Sequence, residues 1–102
     1  MSVTPVLEDA SLVGADRNAP VSERSLSKLR WRSRRGLLEN DLFIERFFNR
    51  HAVGLTVGQA RGMYALMDLS DNDLMDLLLG RKALQPEIST EEVCEVLDML
   101  RT

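Results

Sequence analysis

The sequence has one cysteine, Cys94, and one histidine, His51, among its 102 residues. A single cysteine excludes an internal disulfide, and these two residues together cannot supply the ligands of a structural zinc or haem centre. Neither residue has a partner spaced as in a nucleophilic site, so the sequence predicts a protein that is not an enzyme. The low cysteine content suits a reducing compartment, and we expect a cytoplasmic protein.

Long apolar runs and strand-like alternation are also missing. No window approaches the ~18 consecutive apolar residues of a membrane-spanning helix. Glu8 and Asp9 lie where a secretory or mitochondrial presequence would be basic. We therefore expect an all-α protein with no direct membrane insertion.

The charges are distributed unevenly along the chain. The net charge is −3, yet residues 1–35 carry seven basic and four acidic side chains, whereas residues 36–102 carry six basic and twelve acidic ones. Five of the basic residues lie between Lys28 and Arg35, with Trp31 among them. This pattern favours a local surface for a partner.

The chain is long enough for one domain. Residues 1–22 mix proline, glycine and scattered acids without any period, which predicts a disordered tail. Residues 23–102 show helical periodicity, and we expect them to form a compact five-helix bundle with short loops. The free protein is expected to be a monomer.

The first two predicted helices differ in how much apolar surface they can bury. The first, over residues 23–34, has a narrow seam, so we expect it to be half-buried with Trp31 pointing away from the core. The second, over residues 37–50, has a wide apolar arc formed by Leu37, Phe43, Ile44, Phe47 and Phe48. Leu38 and Leu42 fall outside that arc on a charged face, where an apolar pair suits a partner.

Capping signals mark the last three helices. Thr56 with Gln59 predicts a capping box for the third helix, which Gly58 and Gly62 should weaken. Ser70 predicts the start of the fourth helix, and Gly80 suits the left-handed position after its end. Ser89 with Glu92 predicts another capping box for the fifth helix.

Asp71-Asn72-Asp73 resembles the start of a calcium loop. Such a loop needs an oxygen ligand at its fifth position and a glycine at its sixth, where this chain has Met75 and Asp76. We therefore expect no metal, and interpret these acids as residues that stabilise a helix N-terminus.

Two other functions are open to the basic first helix. Clustered Lys and Arg with an aromatic residue can bind nucleic acid, and a small antitoxin-like regulator could use the same surface. No second basic helix or recognition signature supports nucleic-acid binding, and the chain is acidic overall. We therefore expect a protein partner and no nucleic acid.

Arg35-Gly36-Leu37-Leu38-Glu39 joins the basic segment to the second helix. Gly36 is compatible with a helix C-cap and with close approach of a partner's backbone, and Arg35 could form an i, i+4 ion pair with Glu39. The five residues match the RGxxE motif of the succinate dehydrogenase assembly factors, the SdhE-type family. The likeness extends to Trp31 before the motif, to Asp41-Leu42 and Phe47-Phe48 after it, and to later landmarks through residue 100.

The resemblance implies a chaperone for covalent flavin attachment. Members bind the flavoprotein subunit of succinate dehydrogenase, and in some bacteria of fumarate reductase, and promote linkage of FAD to a histidine of that client. It implies no tightly bound cofactor here, because the FAD belongs to the client. The residues expected to bind the client are Lys28, Trp31, Arg35, Gly36, Leu38, Glu39, Asp41 and Leu42.

Overall fold

The computed structural model describes residues 12–34 and 38–101. Within these ranges the chain forms five α-helices and no strand, which confirms the all-α class. The helices are α1 (Glu23–Arg32), α2 (Leu38–His51), α3 (Val57–Met67), α4 (Asp71–Leu78) and α5 (Glu91–Arg101), with a short 3-10 turn at Pro86–Ile88.

Most helix ends follow the capping signals. The Thr56 hydroxyl accepts a hydrogen bond from the Gln59 amide while the Gln59 side chain accepts one from the Thr56 amide, so the predicted capping box is confirmed. Ser70 caps α4 through the Asp73 amide. Gly80 has φ +74°, the left-handed conformation expected after that helix.

The predicted cap of α5 is wrong by one residue. The hydroxyl of Thr90, not that of Ser89, accepts the hydrogen bond from the Val93 amide, at 3.2 Å. Ser89 instead closes the preceding 3-10 turn, since its amide bonds to the Pro86 carbonyl. Because Ser89 takes part in this turn, α5 is capped by the next residue, Thr90.

Helix α3 has the most buried residues of the described helices and packs most extensively against α5. Met63 and Leu66 are fully buried, and Tyr64 and Met67 nearly so. From the other helices come Leu29, Ile44, Phe47, Phe48, Leu74, Leu77, Leu78, Val93, Val96, Leu97 and Leu100.

Gly62 sets the distance between α3 and α5. A Cβ atom at this position would lie 2.5 Å from the backbone oxygen of Glu92 and 3.0 Å from a methyl group of Val96. The sequence suggested only that this glycine weakens its helix. Its missing side chain instead allows the two helices to approach closely.

Residues 12–22, which we call the N-terminal strap, are ordered against the bundle. The predicted disordered tail is therefore too long, and residues 1–11 lie outside the described residues. The strap carbonyls of Arg17 and Ala19 accept hydrogen bonds from the amides of Gly58 and Val57, at 3.0 and 2.8 Å. These amides belong to the first turn of α3, where they have no partner within the helix.

Side chains also hold the strap. Leu12 is 2% exposed and belongs to the core. Arg61 donates to the carbonyls of Leu12 and Ala15, at 3.1 and 3.3 Å, and forms an ion pair with Glu92 at 2.7 Å. The strap therefore docks without forming a helix, because α3 supplies hydrogen-bond donors to its carbonyls and the core takes up Leu12.

Candidate functional site

The residues predicted to bind a partner lie where α1 ends and α2 begins. Arg35 and Gly36, the first two residues of the motif, fall outside the described residues. The structure places the remaining predicted residues on the two helices that flank this gap.

Three large apolar side chains are exposed here. Trp31 is 74% exposed, Leu38 68% and Leu42 60%, as the helical pattern predicted. Glu39 and Lys28 are also exposed. We call the surface of Trp31, Leu38, Glu39 and Leu42 the α1–α2 face.

Asp41 lies at the edge of this face, half-buried, and lines an open groove between α1 and α2. The groove has a volume of about 470 Å³. Its lining residues are Arg30, Ser33, Arg34, Asp41, Ile44, Glu45, Phe48 and Asn49.

The walls of the groove carry opposite charges. Arg30 and Arg34 come from α1 and the residues after it, whereas Asp41 and Glu45 come from successive turns of α2. Arg30, Glu45 and Asn49 are not among the residues that the sequence predicts to bind the client. The signal was the i, i+4 spacing of Asp41, Glu45 and Asn49 in α2, which places these residues on one side of the helix.

Aromatic rings position both arginines. The guanidinium carbon of Arg30 lies 5.3 Å from the centre of the Phe48 ring, and that of Arg34 lies 5.5 Å from the Trp31 ring. Neither arginine, nor Glu45, forms an ion pair with another described residue. Their charges are therefore open to a ligand.

Buried polar groups fix the framework beneath the site. Asn40 is fully buried in the first described turn of α2, and its amide nitrogen donates to the carbonyl of Asp71 at 3.0 Å. This bond ties the start of α2 to the start of α4. The hydroxyl of Ser33 donates to the Leu29 carbonyl at 2.7 Å and closes the end of α1.

Other candidate chemistry is absent from the described ranges. Within residues 12–34 and 38–101 no group of three or more His, Cys, Asp or Glu side chains is arranged to hold a metal ion. No described helix is both long and apolar enough to cross a membrane. The His51 ring packs 5.4 Å from that of Phe47, and Cys94 is an exposed free thiol.

Comparison with known proteins covers most of this fold. A family model described as "Flavinator of succinate dehydrogenase" matches residues 27–102, which include most of α1 and all of α2–α5. No solved structure matches the chain.

Curated relatives carry the name FAD assembly factor SdhE. That of Ralstonia nicotianae is 49% identical over 75 residues, or 74% of this chain and 79% of the relative. That of Coxiella burnetii is 38% identical over 72 residues, 71% and 82% of the two chains, and one from Legionella pneumophila is 31% identical over 81 residues, 79% and 96%. The chain therefore belongs to the succinate dehydrogenase flavinator family.

Proposed function

We propose that this protein is an assembly factor that binds the flavoprotein subunit of succinate dehydrogenase and promotes covalent attachment of FAD to it. The observation that carries the proposal is the family match over residues 27–102, which contains the RGxxE motif and the exposed α1–α2 face. The names of the relatives support the same reaction.

The protein acts by holding its client, and a histidine of the client attacks the flavin. Alignment of two reacting groups can supply much of a rate enhancement without a catalytic side chain from the chaperone. Trp31, Leu38 and Leu42 offer the apolar contact, and Glu39 offers a polar contact that fixes orientation. Gly36 would let the client's backbone approach closely, with Arg35 and Lys28 assisting docking.

The FAD is held by the client rather than by this chain. A dinucleotide pyrophosphate is bound by a glycine loop before a helix N-terminus, and the described sequence has no such loop. The carboxylates of Asp41 and Glu45 in the groove would repel the phosphates. The groove therefore does not fit the cofactor.

Three further points belong to the proposal. Fumarate reductase is a second client, because its flavoprotein subunit presents the same flavin chemistry. The free protein is a monomer whose α1–α2 face is covered only in the complex. It acts in the cytoplasm, in keeping with an exposed free Cys94 in a reducing compartment.

The alternative role in nucleic-acid binding has little support from the basic helix. Arg32 forms an ion pair with Asp68 at 3.1 Å, and Arg30 and Arg34 stack on aromatic rings. Acidic residues of α2 lie across the groove from these arginines. A phosphate backbone would meet repulsion as well as attraction here.

The decisive experiment is reconstitution of flavinylation. The apo-flavoprotein subunit is incubated with FAD, with and without this protein, and covalent flavin is read as fluorescence of the client band after denaturing electrophoresis. We expect Glu39→Ala and Gly36→Arg to abolish the stimulation without unfolding the bundle. Glu39 is exposed, so its loss should change the free energy of unfolding by about 0.5 kcal/mol or less.

Glu87→Ala is the matched control, because Glu87 is an exposed glutamate in the 3-10 turn, on a different element from the motif. It should leave the rate unchanged. Stimulation by the Glu39 variant at the wild-type rate would show that the motif has a structural role only. Failure of the wild-type protein to stimulate any flavoprotein subunit would contradict the proposed function itself.

A further inference from the structure

The groove between α1 and α2 presents two arginines on one wall and two carboxylates on the other. Ion pairs within the chain use the charges of other regions, such as Arg17 with Glu91 and Arg61 with Glu92. In contrast, Arg30, Arg34 and Glu45 have no ion-pair partner among the described residues. The groove thus keeps charges of both signs available.

This pattern limits the ligand. A phosphate would gain from Arg30 and Arg34 but would be repelled by Asp41 and Glu45 only a groove width away. A ligand that carries one positive and one negative group can satisfy both walls. A protein segment with an acidic and a basic side chain close together has this chemistry.

The groove is continuous with the α1–α2 face. Arg34 lines the groove and stacks on the exposed Trp31. On α2, Asp41 and Glu45 of the groove each follow an exposed leucine, Leu38 or Leu42, by three residues, a spacing that places them on one side of the helix. A client that covers the apolar residues therefore also reaches the groove. Stacking on Phe48 restricts the guanidinium of Arg30, so less side-chain entropy is lost when a partner pairs with it.

We propose that the groove binds the client through two ion pairs: Arg30 pairs with an acidic side chain of the flavoprotein subunit and Glu45 pairs with a basic side chain nearby. This inference rests on the proposed function and adds the recognition chemistry of the same interface. Both residues lie outside the RGxxE motif, so affinity and stimulation should be separable. The groove contributes to affinity, and Glu39 fixes the orientation of the client in the bound complex.

The test uses charge reversals of the full-length protein. Arg30→Glu and Glu45→Arg are compared with Arg24→Glu and Glu87→Arg, which make the same changes at exposed positions outside the groove. Affinity for the purified apo-flavoprotein subunit is measured by titration calorimetry. Flavinylation is followed as a function of the concentration of this protein, and thermal melting checks the fold.

We expect each groove reversal to weaken binding by about tenfold or more, since it places like charges together, and the controls to stay within about twofold. The concentration for half-maximal flavinylation should rise by the same factor while the saturating rate is unchanged. Arg30→Gln and Glu45→Gln, which keep the side-chain size, should weaken binding less. If a charge-reversal variant fails to fold, these neutral variants test the same two charges.

Three results would overturn the inference. Groove variants that bind like their controls would show that neither charge faces the client. Tighter binding by Glu45→Arg together with weaker binding by Arg30→Glu would indicate an anionic ligand, which a parallel titration with FAD would identify. Loss of the saturating rate at unchanged affinity would place these residues in the stimulation step, as expected for Glu39.

A different result separates the two proposals. If the wild-type protein does not bind the flavoprotein subunit, the proposed function fails and the client assignment of the groove fails with it. If it binds and stimulates while the groove reversals match their controls, only the groove inference fails.

Discussion

The two sides of the bundle differ in whether their polar groups are paired within the protein. On the side of α3, α5 and the N-terminal strap, Arg61 reaches two carbonyls and Glu92, and Gly62 allows close helix packing. At the junction of α1 and α2, Trp31 is exposed and Glu45 has no ion-pair partner among the described residues.

One side therefore contributes mainly to the stability of the fold, and the other mainly to the binding of a partner. A buried group that loses its partner destabilises the fold, whereas an exposed charge or apolar side chain in water contributes little to the free energy of unfolding. The same exposed groups gain energy when a partner covers them. Substitutions on the two sides should therefore affect different measurements.

Leu97→Ala should give the largest loss of stability. Leu97 is 4% exposed on the inner side of α5, and its truncation leaves a cavity that costs about 2–5 kcal/mol. Leu42→Ala makes the same chemical change at a residue that is 60% exposed, and should cost about 0.5 kcal/mol or less. Urea unfolding monitored by circular dichroism measures both, and equal losses would contradict the comparison.

Gly62→Ala should come next. The new Cβ would meet the backbone of Glu92, so α3 and α5 must separate, at a cost of about 1–3 kcal/mol. Gly58→Ala is a graded control, since its new Cβ would lie 3.0 Å from the Glu92 carboxylate and 3.2 Å from the Arg17 carbonyl, both farther than the 2.5 Å contact at Gly62. A higher melting temperature for the Gly62 variant than for the wild type would show that the helix propensity of alanine outweighs the close contact with Glu92.

Arg61→Met should release the N-terminal strap at an intermediate cost of about 1–3 kcal/mol, because two carbonyls and Glu92 lose a charged partner. Hydrogen exchange at the Val57 and Gly58 amides, which bond to the strap, should become faster. Arg17→Met removes a more exposed ion pair with Glu91 and should leave the free energy of unfolding nearly unchanged. Unchanged exchange in the Arg61 variant would mean that the backbone bonds and Leu12 suffice to hold the strap.

The double variant Leu38→Ser with Leu42→Ser should have the smallest effect on stability, within about 0.5 kcal/mol, since both side chains are exposed. Its affinity for the flavoprotein subunit should nevertheless fall, because the apolar contact is lost. Leu79→Ser, at a residue 45% exposed in the C-cap of α4, is the control for binding. If the double variant binds with wild-type affinity, these leucines do not contact the client.

Much of the fold follows from local patterns. Periodicity identified all five helices and the exposure of Trp31, Leu38 and Leu42, because the faces of a helix are set by residues three and four apart. Capping boxes are equally local. The cap of α5 was wrong by one residue because the preceding turn also competes for Ser89.

The candidate site was predictable only in part. The motif and the apolar pair come from positions close together in the chain, whereas the groove depends on where α1, packed on α3, lies relative to α2, packed on α4 and α5. Arg30 and Glu45 are ordinary surface residues in the sequence, and only their meeting across the groove gives them a shared role. Asn40 is polar and yet fully buried, since a carbonyl from α4 meets its side chain.

The sequence by itself determined the helical class, the starts of α1, α3 and α4, and the family, because each depends on residues close together in the chain or on a motif of fixed spacing. Only the tertiary structure decided that residues 12–22 dock, that Gly62 is a packing position and that opposite charges line one groove. These features join residues about 10 to 50 positions apart. They are stabilised by contacts between distant parts of the chain, which a local sequence pattern cannot predict.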